Sequence, residues 1–257
     1  MRIIISPAKK MNIDTDSFLA ESTPQFLEDA KRLLTVLQGM DRDQLRKLWK
    51  CSDALVELNA RRLQATDLSQ AKTPAILAYE GIQYQYMAPS VMDTQSLSYL
   101  GEHLRILSGL YGILRPFDGV IPYRLEMQAK LSVDGCKDLY GFWGNRLAEQ
   151  LARESDFVLN LASQEYSKAV KPYLPQSVNF ITCIFGELIQ GKPTEKGTLC
   201  KMARGQMVRW LAENQIATPE EVRSFDQLGY RFSPEWSTHT EFVFLKSESQ
   251  RIPPKAR

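Results

Sequence analysis

The sequence predicts a mixed α/β (α+β) fold in which strands and helices follow one another without strict alternation. Three observations predict it. Short apolar runs bounded by turn residues recur along the chain, as interior strands require. Between them lie longer segments with apolar residues at helical spacing. No repeat, low-complexity tract or Gly/Ser linker divides the 257 residues, 44% of them hydrophobic and 24% charged, so one core can form over residues 1–245.

Ile3-Ile4-Ile5 reads as a buried strand ended by Ser6-Pro7. Thr23-Pro24 opens a helix that keeps its apolar spacing from Phe26 to Gly39, with a hydroxyl at the cap and proline in the first turn. A second helix starts near Asp41 or Asp43 and carries Leu45, Leu48 and Trp49, and Ser52-Asp53 caps a third through Leu55, Leu58 and Arg62. Ile76 to Tyr79 reads as a strand. Leu97, Leu100, Leu104 and Leu107 predict one amphipathic helix ended by Gly109 and Gly112. An aromatic stretch after Asp138 leads into a helix through Leu147 and Leu151. Phe157–Ala162, Val178–Phe185 and Phe242–Leu245 read as strands, and the tail 246–257, with its Pro253-Pro254, as frayed.

Charge and composition narrow the function. Thirty-two basic against 30 acidic residues leave a net +2, so any basic surface must arise by local segregation. No apolar run approaches the ~20 residues of a membrane helix, and the apolar start MRIII precedes its lysines, the reverse of a signal peptide. A cytoplasmic protein without a membrane partner is expected. Cys51, Cys136, Cys183 and Cys200 show no CxxC spacing and His103 and His239 are the only histidines, so neither a metal site nor a cofactor is expected. Phosphate-loop, dinucleotide, nucleophile-elbow and HExxH motifs are absent.

Four segments could carry chemistry. Ser6-Pro7-Ala8-Lys9-Lys10 follows the first strand, where loops of open α/β sheets collect ligands, and its lysines suit an anion or an ordinary solvated loop. Residues 103–127 hold Arg105, Arg115 and Arg124 with Asp118 and Glu126, interleaved with Tyr111, Phe117 and Tyr123. There, Gly109–Gly112 is either the hairpin of a phosphate-binding helix pair or a helix cap leading into a packed loop. The helices of Asp43–Leu63, joined at Lys50-Cys51-Ser52 with Arg61 and Arg62 near their end, are the rival location. Lys196–Arg209 holds Lys196, Lys201, Arg204 and Arg209 and no acid; Lys201, Arg204 and Arg209 fall on one helical arc opposite Ala203, Met207, Trp210 and Leu211. Gly205 inside it suggests a close approach by a ligand or a helix. Asn160 to Lys168 follows a buried strand and supplies Glu165 and Lys168 as an acid/base pair, or simply a helix start capped at Ser163.

The motifs ISPAK, SDALVELNARR, HLRILSGLYGILRP, PYRLEM, KDLYGFWG, NLAS-EY-KAVKP and KMARG, in this order from Ile5 to about Phe244, resemble the YaaA family of bacterial peroxide-stress proteins. The resemblance implies a cytosolic protein of the oxidative-stress response with an uncommon topology. It also implies a positively charged cleft, a helix-hairpin-helix element, binding to duplex and branched DNA, and a link to recombination repair. Carried over motif by motif, the cleft candidates are Lys9, Arg61, Arg105, Arg115, Arg124, Lys168, Lys171, Lys201, Arg204 and Arg209. Lys10-Met11 and Gly119-Val120 lie where the family varies.

Two functions follow. A DNA-binding protein would neutralise phosphates with these cations, release counterions and depend little on sequence, with a preference for unpaired DNA if Tyr111, Phe117 or Tyr123 stacks on bases. Alternatively, an enzyme or binder for a small phosphorylated or nucleotide ligand would use Glu165, Lys168 and Glu126 as its acid/base groups, since phosphate contacts alone need no carboxylates. The position of Glu126 and Glu165, in a deep pocket or along an open groove, separates the two.

Overall fold

A computed structural model describes residues 1–14 and 16–246; the tail expected to fray, from 247 on, lies outside the described residues. The main sheet is built from β1 (Arg2–Ile5), β2 (Leu104–Ser108), β3 (Gly112–Leu114), β4 (Phe157–Leu161), β5 (Asn179–Ile189), β6 (Lys192–Glu195), β7 (Tyr230–Phe232) and β8 (Glu241–Lys246). Its order is β7-β8-β5-β4-β1-β2-β3, with β6 paired to β5. The five central strands run parallel; β7, β3 and β6 pair antiparallel at the margins. The sheet is therefore mixed, as expected.

Strand β1 sits in the middle because its sequence allows nothing else. Ile3, Ile4 and Ile5 are fully buried, and a strand apolar on both faces needs neighbours on both edges and layers on both sides. Ile4 stands opposite Arg105 on one edge and Asn160 on the other.

From β1 the chain proceeds to β2 on one side, and from β4 to β5 on the other. The connections diverge at the β1/β4 seam, which leaves a crevice outside the carboxyl ends of these strands, where open α/β sheets bind ligands.

Helices α1 (Leu27–Gln38), α2 (Arg42–Trp49), α3 (Asp53–Gln64), α4 (Ile82–Met87), α5 (Thr94–His103), α6 (Arg146–Glu154) and α7 (Gly197–Glu213) surround the sheet. Asp41 and Gln44 close a capping box at the start of α2. Lys50, at φ 45°, ends α2 in the left-handed region and turns the chain into α3. Helix α1 starts at Leu27, later than its Thr-Pro signal, with no side-chain cap. The aromatic segment Leu139–Trp143 is a separate turn of helix, divided from α6 at Gly144.

Two elements differ from the sequence reading. The leucine series does not form one helix: α5 ends at His103 and Leu104–Ser108 is β2, buried along its whole length between β1 and β3. Leucines spaced 3, 7 and 10 fit a helix stripe, but a short, fully buried strand tolerates any apolar pattern. Ile76 to Tyr79 is not a strand either, since Ala75–Ala78 forms a helical turn and only Tyr79–Glu80 pairs, with Lys10–Met11. Gly119–Val120 likewise pairs with Thr73–Pro74.

Candidate functional site

The loop after β1 and the start of the short helix after β4 meet across the seam. Ser6 ties them: its hydroxyl accepts from the Ser163 amide at 2.8 Å and faces the Ser163 hydroxyl at 3.2 Å. Lys10 pairs with Glu80 at 2.6 Å and anchors the other side of the loop. Above them opens an inner pocket of about 420 Å³, within the range of small-ligand sites. Lys9, Arg124, Lys201 and Arg204 line it together with Glu126 and Glu165, beside the rings of Tyr84, Tyr123 and Tyr166.

Glu126 organises the pocket's charge. It holds Lys9 at 2.9 Å and Arg124 at 3.4 Å. Glu165 accepts from the Gln128 amide at 3.2 Å. Burial raises its carboxyl above the usual range; the Gln128 hydrogen bond opposes this, the charge of Glu126 adds to it and Lys9 opposes it. The native state thus holds this proton more tightly than the unfolded chain, and ionising Glu165 at higher pH destabilises the fold. Glu165→Gln is expected to raise Tm at pH 7 and to leave it unchanged below about pH 4. Thermal melts across that interval check it; a gain that is constant with pH contradicts it.

A second cavity continues from the first. It shares Lys9 and Glu126 and extends past Lys47, Trp49 and Lys50 of the α2–α3 hairpin to Lys130. Four lysines line this outer trough against one carboxylate. Lys47, Lys50 and Lys130 are exposed and form no ion pair among the described residues.

Four buried side-chain polar atoms lack a partner among the described residues: Trp49 Nε1, Gln83 Nε2, Arg124 Nε and Arg204 Nε. All four are hydrogen-bond donors, and all belong to residues that line one of these two cavities. The connected space is short of acceptors.

The family sequence model described as "Peroxide stress protein YaaA" matches residues 1–236. The chain belongs to this family. It is 52% identical over 248 residues to a UPF0246 protein of Pediococcus pentosaceus, covering 96% of this chain and 99% of the relative. A UPF0246 protein of Desulfitobacterium hafniense is 50% identical over 251 residues, covering 98% and 100%, and one of Limosilactobacillus reuteri 53% over 245 residues, covering 95% and 98%.

Of the ten cations that the YaaA resemblance marks, Lys9, Arg124, Lys201 and Arg204 converge on the inner pocket. Arg105 does not. It is buried at the amino end of β2, away from the carboxyl-end crevice, and both Nε and one terminal nitrogen bind Glu154 at 2.7 Å. Arg115 is exposed just after β3, whose antiparallel course returns it to that same far edge. Arg61 pairs with Glu57 at 2.8 Å and Arg209 with Glu213 at 2.7 Å. Lys168 lies over the Tyr140 ring at 5.2 Å and Lys171 over Phe180 at 5.8 Å, neither lining the inner pocket or the outer trough.

Helix α7 does not present one uniform basic face. Arg204 is buried and binds Glu195 at 3.2 Å, while Lys201 is exposed at the pocket. Gly109 and Gly112 do not form a phosphate-binding hairpin but the β2–β3 turn. A Cβ on Gly109 would overlap the Leu125 carbonyl, and Gly112 packs under Trp143, so packing accounts for both glycines. Asn160 is structural: it donates to Thr182 Oγ1 and accepts from the Ala162 amide.

Tyr111 is wholly buried and Phe117 packs edge-on against Phe18; of the expected stacking rings only Tyr123 reaches the pocket. Burial pushes the Cys183 and Cys200 thiols up, away from the reactive thiolate. No group of three potential metal ligands occurs among the described residues, and no helix among them is long and apolar enough to cross a membrane.

Sequence reasoning did not single out Lys47, Lys50 and Lys130 as cavity-lining residues. Their only signal was position, Lys47 in the last turn of α2, Lys50 at the joint that follows it and Lys130 past PYRLEM.

Proposed function

We propose that this member of the peroxide-stress family is a cytoplasmic DNA-binding protein that protects DNA or assists its recombination repair. The observation that supports this reading best is the outer trough, where Lys47, Lys50 and Lys130 stand exposed without carboxylate partners among the described residues. Cations already paired within the protein would have to exchange one anion for another on binding. Unpaired ones gain a phosphate outright and release counterions. The α2–Lys50–α3 turn would supply the helical hairpin, since Lys47 to Lys50 line the trough, where contacts that position a phosphate chain would form. Such contacts read no sequence, and duplex, bubble and junction DNA all present them.

The double variant Lys47→Glu/Lys130→Glu is expected to weaken duplex binding and to flatten the slope of log affinity against log salt by about 2, one per lost phosphate contact. Reversing Arg61 and Arg209, both already paired, leaves the slope unchanged. Anisotropy titrations between about 50 and 200 mM salt measure both. An unaltered slope in the lysine variant contradicts the reading.

A second reading, a small nucleotide ligand, is favoured by one observation. Glu126 and Glu165 line the same pocket as Lys9 and Arg204. Phosphate contacts alone do not call for them.

A further inference from the structure

The two cavities differ in kind. The outer trough is lined by four lysines and one carboxylate, which suits a chain of phosphates. The inner pocket is mixed, with three tyrosines, two arginines, three lysines and three carboxylates about one space. That mixture matches a nucleotide, whose base takes aromatic walls and hydrogen-bonding partners and whose phosphate takes guanidinium groups.

The donor shortage points the same way. Gln83 is 7% exposed and Arg204 9%, yet Gln83 Nε2, Arg204 Nε and Arg124 Nε have no acceptor among the described residues. Each buried donor left unmade costs about 1–3 kcal/mol, so the pocket favours an occupant rich in acceptors. A phosphate and a base edge supply several at once. Lys9 and Glu126 line both cavities, so a strand in the trough passes the mouth of the pocket.

We propose that the inner pocket binds one nucleoside monophosphate unit, with its phosphate at Arg124 and Arg204 and its base among Tyr84, Tyr123 and Tyr166. The unit comes either from a strand in the trough, as an unpaired nucleotide turned out of the stack, or from free nucleotide. The first source rests on the DNA reading above; the second does not. Glu165 accepts from the N–H edge of the base. A paired duplex occupies the trough alone, because its bases are held in the stack.

The test uses the full chain and three probes: deoxyadenosine monophosphate, a duplex with one 2-aminopurine in a short bubble, and the same duplex fully paired. Wild-type protein is expected to bind the bubble about tenfold more tightly than the paired duplex, the scale of one base–aromatic stack, and to change the 2-aminopurine emission. Gln83→Leu removes an unpartnered donor without touching an ion pair. It is expected to abolish that preference and leave paired-duplex affinity within about twofold, since the trough phosphate contacts persist. Gln83→Met, closer in length, repeats the test if the leucine variant melts early.

Deoxyadenosine monophosphate binding that is lost in the Gln83 variant supports the proposal with free nucleotide as a source. An emission change lost in that variant, without monophosphate binding, supports it with the strand as the source. Monophosphate binding that survives Lys47→Glu/Lys130→Glu, while duplex binding never depended on those lysines, upholds the pocket and removes the trough. If folded Gln83 and Arg204→Lys variants bind all three probes as wild type does, the pocket holds only water and the proposal is overturned.

Discussion

Gly205→Ala is expected to destabilise the protein by about 3 kcal/mol, at the upper end of the cost of overpacking. Helix α7 crosses α4 at this glycine. An added Cβ would overlap the Gln83 carbonyl oxygen, with its carbon at 2.9 Å and the Tyr86 Cβ at 3.0 Å. Most of that obstacle is backbone, so no rotamer change relieves it, and the helices must separate. In an ordinary exposed helix the same exchange would stabilise, since alanine is the better helix former by about 1 kcal/mol. The sign of the measured effect therefore decides whether the contact is real. Chemical denaturation reads it, and a neutral or stabilised variant refutes the close crossing. Gln83 and Arg204 both line the inner pocket from these two helices, so a folded Gly205→Ala protein should also lose pocket occupancy before trough binding.

Glu154→Ala is expected to cost about 3–5 kcal/mol, the loss seen when one partner of a buried ion pair is removed. One carboxylate oxygen of Glu154 accepts from Arg2 Nε and from Arg105 Nε, each at 2.7 Å, and Gln150 donates to the other. Without it, two guanidinium groups face each other, and Arg105 is only 7% exposed. Burial pushes the Glu154 carboxyl up, but hydrogen bonds from Gln150 and Arg2 and the charge of Arg105 outweigh it and hold the group below the usual range. The stabilisation is present above the ordinary carboxylate range and is lost as pH falls through the lowered native value. The difference between wild type and Glu154→Ala should therefore shrink in acid; one that stays constant contradicts the linkage. Arg105→Met keeps the Arg2–Glu154 pair and much of the buried volume, so its cost should be smaller and its DNA affinity unchanged.

Arg105 also marks the limit of what the sequence reveals. Its place in the HLRILSGLYGILRP motif made it a cleft candidate, and its neutralising carboxylate lies 49 residues away, on a helix that only folding brings near. The partners of Arg61 and Arg209 sit at i,i+4 spacing, Glu57 and Glu213, and that rule would have removed both from the candidates. Strands β1 and β4 were legible because continuous apolar runs ended by turn residues have few alternatives. Strand β2 was not, because its leucines also fit the stripe of the helix before it. The loop after β1 and the segment after β4 were each readable as site-bearing, yet their junction through Ser6 and Ser163 appears only once the strands lie side by side. Lys47 and Lys130 drew no notice, and Lys50 only as part of a helix joint, because an unpaired lysine looks in sequence like any other.

The central place of β1 has a consequence for biosynthesis. Ile3, Ile4 and Ile5 are synthesised long before their neighbours in the sheet, Leu104–Ile106 and Leu159–Leu161. Until Leu161 has been made, at least one edge of this apolar segment stays unoccupied. Such remote pairing slows folding and leaves nascent chains open to aggregation. Final ordering of β1 therefore waits for β4, and until then the segment is open to wrong partners.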